Sequence, residues 1–275
     1  MSQDPIIAPP ISTERIGMSP SVAETAEVRS HIVIPARLAS SRLPRKLLLR
    51  ESGRSVLEHT YHSACRAMRP GGITIAVDCD ELKNEVEQFG GHAIMTDPAL
   101  PSGTDRVLAA AKELPEVDIF VNVQGDEPEI SGAAIDQVIE LLEDNPEAVV
   151  STLATPIREQ DRLEDPSCVK VVRDANRKAL YFSRSPIPFV RDQQPNLLNA
   201  EPPLFWQHIG IYAYRREFLM NLPDLPTSDL EKLEKLEQLR FLQAGATIQV
   251  GATDHAVKGI DTADDYQAFL VRQAA

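Results

Sequence analysis

Short apolar runs rich in β-branched residues recur along this chain, and the stretches between them place apolar residues at every third or fourth position. Ile32–Ile34, Ile73–Val77, His92–Met95, Ile119–Val123 and Ala148–Leu153 read as buried strands. Between them, Ser55–Met68 carries Val56, Leu57, Tyr61 and Cys65 on one helical face, and Glu81–Phe89 and Asp105–Glu113 read as shorter helices. A further helix follows from Ile135, Val138, Ile139 and Leu142. Pro70-Gly71-Gly72 and Gly90-Gly91 stop the first two helices. Strand and helix in alternation predict a layered α/β domain whose strands pair in parallel through right-handed crossovers.

The second half departs from that march. Val169–Val172 and Lys178–Phe182 are alternating runs flanking Asp174-Ala175-Asn176-Arg177, which predicts a β-hairpin. A proline-bearing loop is expected over 191–206, then a strand at Ile209–Tyr214 and another at Thr247–Val250. Ser228 with Glu231 three residues on begins a helix carrying Leu230, Leu233, Leu236, Leu239 and Leu242, leucines expected in the core. A terminal helix runs from Thr262 to Val271. Residues 1–29, with Pro5, Pro9, Pro10 and Pro20 and little apolar periodicity, read as a mobile tail before a single domain over 30–275.

Composition narrows the class. The chain has 275 residues, is 43% hydrophobic and 25% charged, and carries a formal charge of −13, which argues against a nucleic-acid surface. Cys65, Cys79 and Cys168 are far apart with no Cys-x-x-Cys pair, so neither a disulfide framework nor a zinc cluster is expected. No stretch approaches the ~20 apolar residues of a membrane span, and MSQDPIIAPP does not read as a secretory signal, so the expected address is the cytoplasm.

Against this acidic background the segment after the first strand is basic. Pro35 lacks a ladder donor and is expected to end the strand. From Arg37 to Arg54 there are six basic residues, Arg37, Arg42, Arg45, Lys46, Arg50 and Arg54, and one acidic residue, Glu51. A cationic loop leaving a strand of an α/β sheet lies where such sheets bind ligands, and a nucleotide phosphate suits it. Small Ala39, Ser40 and Ser41 let backbone N–H groups approach phosphate oxygens. A solvated basic loop is the plain alternative. No Gly-x-Gly-x-x-Gly follows the first strand, which excludes a nicotinamide dehydrogenase of the usual pattern.

The stretch PARLASSRLPRK resembles the signature loop of the cytidylyltransferases that activate sugar acids, above all those acting on 3-deoxy-manno-octulosonate (Kdo). PSGTDR, VNVQGDEP, YFSRSPIP, QHIGIYAY, LEKLEQLR and GIDTADD resemble the same family in the same order. The resemblance implies a Rossmann-like nucleotide-diphospho-sugar transferase fold, a mixed and mainly parallel sheet with helices on both faces plus a β-hairpin dimerisation region near 168–214. It implies transfer of CMP from CTP to Kdo for lipopolysaccharide biosynthesis, Mg²⁺ as cofactor and a homodimer. Use of another acidic sugar, 8-amino-Kdo or sialic acid, stays open, as does a non-catalytic CTP-binding regulator.

By the same resemblance Asp126 and Asp261 hold Mg²⁺, and Arg37 and Lys46 grip the triphosphate, with Ser40 and Arg42 in the same loop. Read unaided, Asp126 is also a turn former before Pro128, and Asp261 a helix cap. Ser102, Gly103, Thr104, Arg106 and Gln124 are implied in reading cytosine and ribose, although the first three also fit plain turn chemistry. For the sugar acid the resemblance points to Arg184, Gln207, His208, Tyr212, Glu237 and Gln238; His208 satisfied in the core and Glu237 on a solvated face are the plain alternatives. One departure stands out. The family usually has Gly-Lys-Pro where this chain has Arg45-Lys46-Leu47, placing an arginine where a positive φ favours glycine.

Overall fold

The computed structural model describes residues 28–192, 196–254 and 259–274; the tail expected over 1–29 lies, but for its last two residues, outside them. The first half follows the predicted alternation: β1 (Ser30–Ala36), α1 (Val56–Ala64), β2 (Ile73–Val77), α2 (Asp80–Gln88), β3 (Ala93–Met95), α3 (Gly103–Lys112), β4 (Ile119–Asn122), α4 (Gly132–Asp144) and β5 (Val150–Pro156). Then come α5 (Gln160–Glu164), β6 (Lys170–Arg173), β7 (Ala179–Ser183), β8 (Trp206–Arg215), α6 (Arg216–Met220), α7 (Asp229–Glu234), α8 (Gln238–Gln243), β9 (Ile248–Ala252) and α9 (Ala263–Gln273).

The sheet order is β3-β2-β1-β4-β8-β5-β9. Strands β3, β2, β1 and β4 are parallel, as are β5 and β9, while β8 runs antiparallel to both β4 and β5. The result is the mixed, mainly parallel sheet expected, with one reversed strand at its centre. Both faces are buried, and the alternation along β1 shows how. Ile32 and Ile34 join Leu57, Ile135 and Phe269 on the face covered by α1, α2, α4 and α9. Val33 points the other way, to Val107, Leu219 and Phe241 of α3, α6 and α8. Each such fully buried aliphatic side chain stabilises the fold by about 1.5–3 kcal/mol.

Several expectations are corrected. Pro35 does not end β1, which continues to Ala36 with Pro35 opposite Ala76 of β2. Trp206 and Gln207, expected in a loop, start β8. The helix expected from Ser228 through Leu242 is broken: Lys235 adopts a left-handed conformation, φ 54°, between α7 and α8. Hence Leu233 is 81% exposed while Leu236 and Leu239 are buried, so the leucines do not share one core face. The short helices α5 and α6 have no strong periodic signal and were not anticipated. The β6–β7 hairpin is present, and it joins the sheet through Lys170 opposite Gln207.

Candidate active site

Because β1 to β4 are parallel, their C-terminal ends open on one edge, and the loops leaving β1 and β4 meet there the N-terminus of α3. A cleft at this edge is lined by Arg37, Ser40, Lys46, Ser102, Gln124 and Asp126, among others. Arg42, Gly103, Arg106 and Asp261 line it too. The residues proposed for phosphate and metal, and those proposed for the base other than Thr104, thus line one cleft.

The basic loop after β1 is shaped by a single 3₁₀ turn, Lys46–Leu48, anchored by buried Leu47. Arg45 precedes it in the left-handed region at φ 56° and ψ 27°, so the conformation that glycine usually supplies survives with an arginine. Its guanidinium pairs with Glu81 at the surface, with both side chains about half exposed. Exposed pairs contribute about 0–1 kcal/mol, whereas a non-glycine residue in this region costs about 1–2 kcal/mol. Arg45→Gly is therefore expected to raise stability by about 0.5–1 kcal/mol, read as a higher urea midpoint; a lower midpoint would show that the Glu81 pair dominates.

Lys46 is the hub. Its Nζ hydrogen-bonds to Asp126, and donates at 3.0 Å to both Ile260 O and Asp261 Oδ1. Arg42 Nη2 lies 2.9 Å from the same Asp261 oxygen. Asp126 is set by close backbone packing: a Cβ on Gly125 would fall 2.9 Å from Pro35 O, and Thr60 Oγ1 donates to Gly125 O at 2.9 Å. Ile260 N donates to Asp126 O at 2.8 Å, which draws the approach to α9 against the β4 loop. The N-cap of α9 is Thr262, with a full capping box to Asp265. Asp261 is thereby spared that task, and its carboxylate faces the two cations.

Beside the pair, Glu127 is buried with its Oε2 lacking a hydrogen-bond partner among the described residues. Burial, reinforced by Asp126, pushes it up to about 8, so it is largely protonated at neutral pH.

The expected base-side residues Ser102, Gly103 and Thr104 meet at the start of α3, which begins two residues earlier than the sequence suggested. Ser102 is the N-cap, accepting from Asp105 N at 3.1 Å. Thr104 is buried and donates to Glu237, and Ser102 Oγ lies 3.3 Å from the other Glu237 oxygen. Burial raises Glu237 above the usual carboxylate range, with the Thr104 bond opposing. So the break at Lys235 has a consequence: it turns Glu237 inward, away from the solvated face that its helix pattern allows. Gln124 Nε2 donates to Asn122 Oδ1 at 3.3 Å.

The residues expected to hold the sugar acid divide. His208 and Tyr212 stand on β8 with ring centroids 5.3 Å apart, and Tyr212 stacks on Tyr214 at 5.8 Å. His208 Nε2 bonds Thr152 Oγ1 at 2.9 Å, and burial pushes the ring down to about 3, so it is neutral at pH 7. Gln238 is buried at the start of α8. Gln207 Oε1 accepts from Arg162 Nη2 at 2.8 Å, a partner supplied by the unanticipated α5. Arg184 spends its guanidinium on main-chain carbonyls, Glu234 O at 2.7 Å and Pro166 O at 3.0 Å, tying the hairpin to the end of α7. Sequence reasoning also passed over Asp78, which follows β2 at the same sheet edge; its strand-end position was the available signal.

Comparison with known proteins identifies the chain's family and relatives. Residues 31–248 match the protein family described as Cytidylyltransferase. A 3-deoxy-manno-octulosonate cytidylyltransferase of Rhodopirellula baltica is 50% identical over 242 residues, 88% of this chain and 97% of that protein. An 8-amino-3,8-dideoxy-manno-octulosonate cytidylyltransferase of Shewanella woodyi is 43% identical over 246 residues, 88% and 98% of the two chains. Among solved structures, a CMP:2-keto-3-deoxy-manno-octonic acid synthetase complexed with CTP aligns with a TM-score of 0.83 and 39% identity, over 90% of this chain and 98% of that one.

Proposed function

This chain belongs to the cytidylyltransferase family, and on that premise we propose that it transfers CMP from CTP to Kdo, giving CMP-Kdo and pyrophosphate, in lipopolysaccharide biosynthesis. The observation that carries the chemistry is the meeting of Asp126, Asp261 and Lys46 at one point beneath a basic loop. The reaction is attack of the sugar's anomeric hydroxyl on the α-phosphorus of CTP, with the bond to the β-phosphate oxygen breaking. Charge grows on the departing pyrophosphate, and fixed cations lower its energy without reorganising. Lys46, Arg37 and Arg42, which line the cleft, are the cations assigned to this, with no covalent enzyme intermediate.

A divalent cation fits the donor set. Two carboxylates and the Ile260 carbonyl already surround one positive group, the Lys46 ammonium, and hard oxygen ligands of this kind suit Mg²⁺. Asp126 and Asp261 would hold the ion, which supplies Lewis-acid neutralisation of phosphate and hydroxyl oxygens. Among the described residues no third His, Cys, Asp or Glu joins them, so the remaining ligands of such an ion would have to come from substrate and water.

The rest of the reading follows the family. Residues 30–275 act as one catalytic domain, and the β6–β7 hairpin region forms a homodimer, supported by Leu180 on β7 and Phe189 beyond it, 58% and 87% exposed. Among the described residues no helix is long and apolar enough to cross a membrane, and the three cysteines are free, which suits a cytoplasmic enzyme. The test is pyrophosphate release from CTP with Kdo, 8-amino-Kdo and sialic acid in competition. Preference for Kdo is expected. Preference for the amino sugar would shift the assignment toward the Shewanella-type relative, and CTP binding without turnover on any of them would sink the enzyme reading.

A further inference from the structure

Asp78 stands just past the end of β2, where no role has yet been given to it, and it touches two parts of the cleft at once. Its Oδ1 accepts from the backbone N–H of Leu38, in the phosphate loop, at 3.1 Å. Its Oδ2 faces the Arg106 guanidinium at 3.7 Å, with side-chain exposures of 11% and 3%. The rest of the grip on Arg106 comes from neutral oxygens. Nη1 donates to Thr96 Oγ1 at 2.8 Å and Asp97 O at 3.2 Å, and Nη2 to Pro98 O at 3.4 Å. Thr96 is itself fixed, its hydroxyl donating to Val77 O at 2.8 Å. A guanidinium so deeply enclosed needs a carboxylate to keep its charge in place, and Asp78 is the one that faces it. Arg106 nonetheless lines the cleft, with Ser102, Gly103 and Gln124.

We propose that Asp78 is a positioning residue that locks Arg106 and the phosphate loop in one register, and through Arg106 sets the preference for cytosine over uracil. This rests on the reading of the cleft as a CTP site. Cytosine offers acceptors at N3 and O2, which a fixed cationic donor satisfies, whereas uracil presents an N3–H that such a donor cannot pair. Discrimination of this kind depends on the donor staying where it is, because a mobile guanidinium can retreat and admit either base.

Asp78→Asn separates the two duties, since the amide oxygen can still accept from Leu38 while the charge opposite Arg106 is gone. In pyrophosphate release with the sugar acid saturating, this variant is expected to lose about tenfold in kcat/KM for CTP, chiefly through KM, with UTP little changed. The CTP-to-UTP preference then falls about tenfold. Asp78→Ala also removes the Leu38 anchor and is expected to lower kcat as well, whereas Asp78→Glu, which keeps the charge, should recover part of the preference. Thr96→Val tests the same lock from its other side without touching Asp78, and should also lower the preference. An unchanged CTP-to-UTP ratio in folded Asp78→Asn, or in Thr96→Val should the first variant not fold, overturns the proposal. A parent enzyme that releases no pyrophosphate from CTP would overturn the functional reading instead.

Discussion

Lys46→Met is expected to lower kcat for CMP transfer by about 100- to 1,000-fold while the protein stays folded. The ammonium sits at the meeting of Asp126, the Ile260 carbonyl and Asp261, with a side chain only 14% exposed. It is therefore a charge fixed before the reaction begins, the arrangement in which a single donor contributes most to stabilising a transition state. Methionine keeps the length and apolar stem but leaves the two carboxylates without their shared cation. Lys46→Arg is not expected to rescue, because a planar fork cannot reach three oxygens arranged around one point. Steady-state kinetics decides the matter. A loss confined to KM would make Lys46 a binding group alone, and turnover within about threefold of the parent would remove it from the chemistry.

Acidification should expose His208. Its folded pKa, about 3, lies below the ordinary value of 6.5 because burial disfavours the charged ring. Between these values the unfolded chain takes up a proton that the folded protein refuses, so the stability linked to the neutral ring is complete above pH 6.5 and is lost as the pH falls toward 3. At 1.36 kcal/mol per pKa unit the loss approaches about 3–5 kcal/mol, the lower end applying because part of the residue stays open to water. His208→Gln gives up the edge-on contact with Phe182 at 5.1 Å and is expected to be less stable at pH 7, yet to lose less on acidification. Urea midpoints from pH 7 to 4 for both proteins measure the difference; parallel curves would mean that His208 titrates normally.

Much of the first half was legible from the chain, because each element there is recorded in local periodicity. The strands β1, β2 and β4 are apolar on both faces, and the helices between them keep one apolar stripe. The second half was less legible for identifiable reasons. Trp206 and Gln207 follow a proline-rich stretch that reads as loop, but they are held in β8 by pairing with Pro156 and Thr155 of β5. The leucine spacing from Leu230 to Leu242 permits one helix. The chain instead accepts a left-handed Lys235, costing about 1–2 kcal/mol, and gains burial of Leu236, Leu239 and Phe241 together with the Glu237–Thr104 bond. Similarly, the basic residues of the loop after β1 could be counted in the sequence, while the partner of each could not.

By itself the sequence determined that this would be an α/β protein with a cationic loop at a strand end and Asp126 just past a later apolar run. Those features depend on neighbouring residues, and neighbours are what a sequence displays. Only the tertiary structure decided that β8 would run backwards through the middle of the sheet, and that Lys46 would sit between carboxylates 80 and 215 residues away. Strand order and long-range ion pairs are settled by which surfaces remain to be buried once the local elements exist, and that competition leaves no periodic trace along the chain.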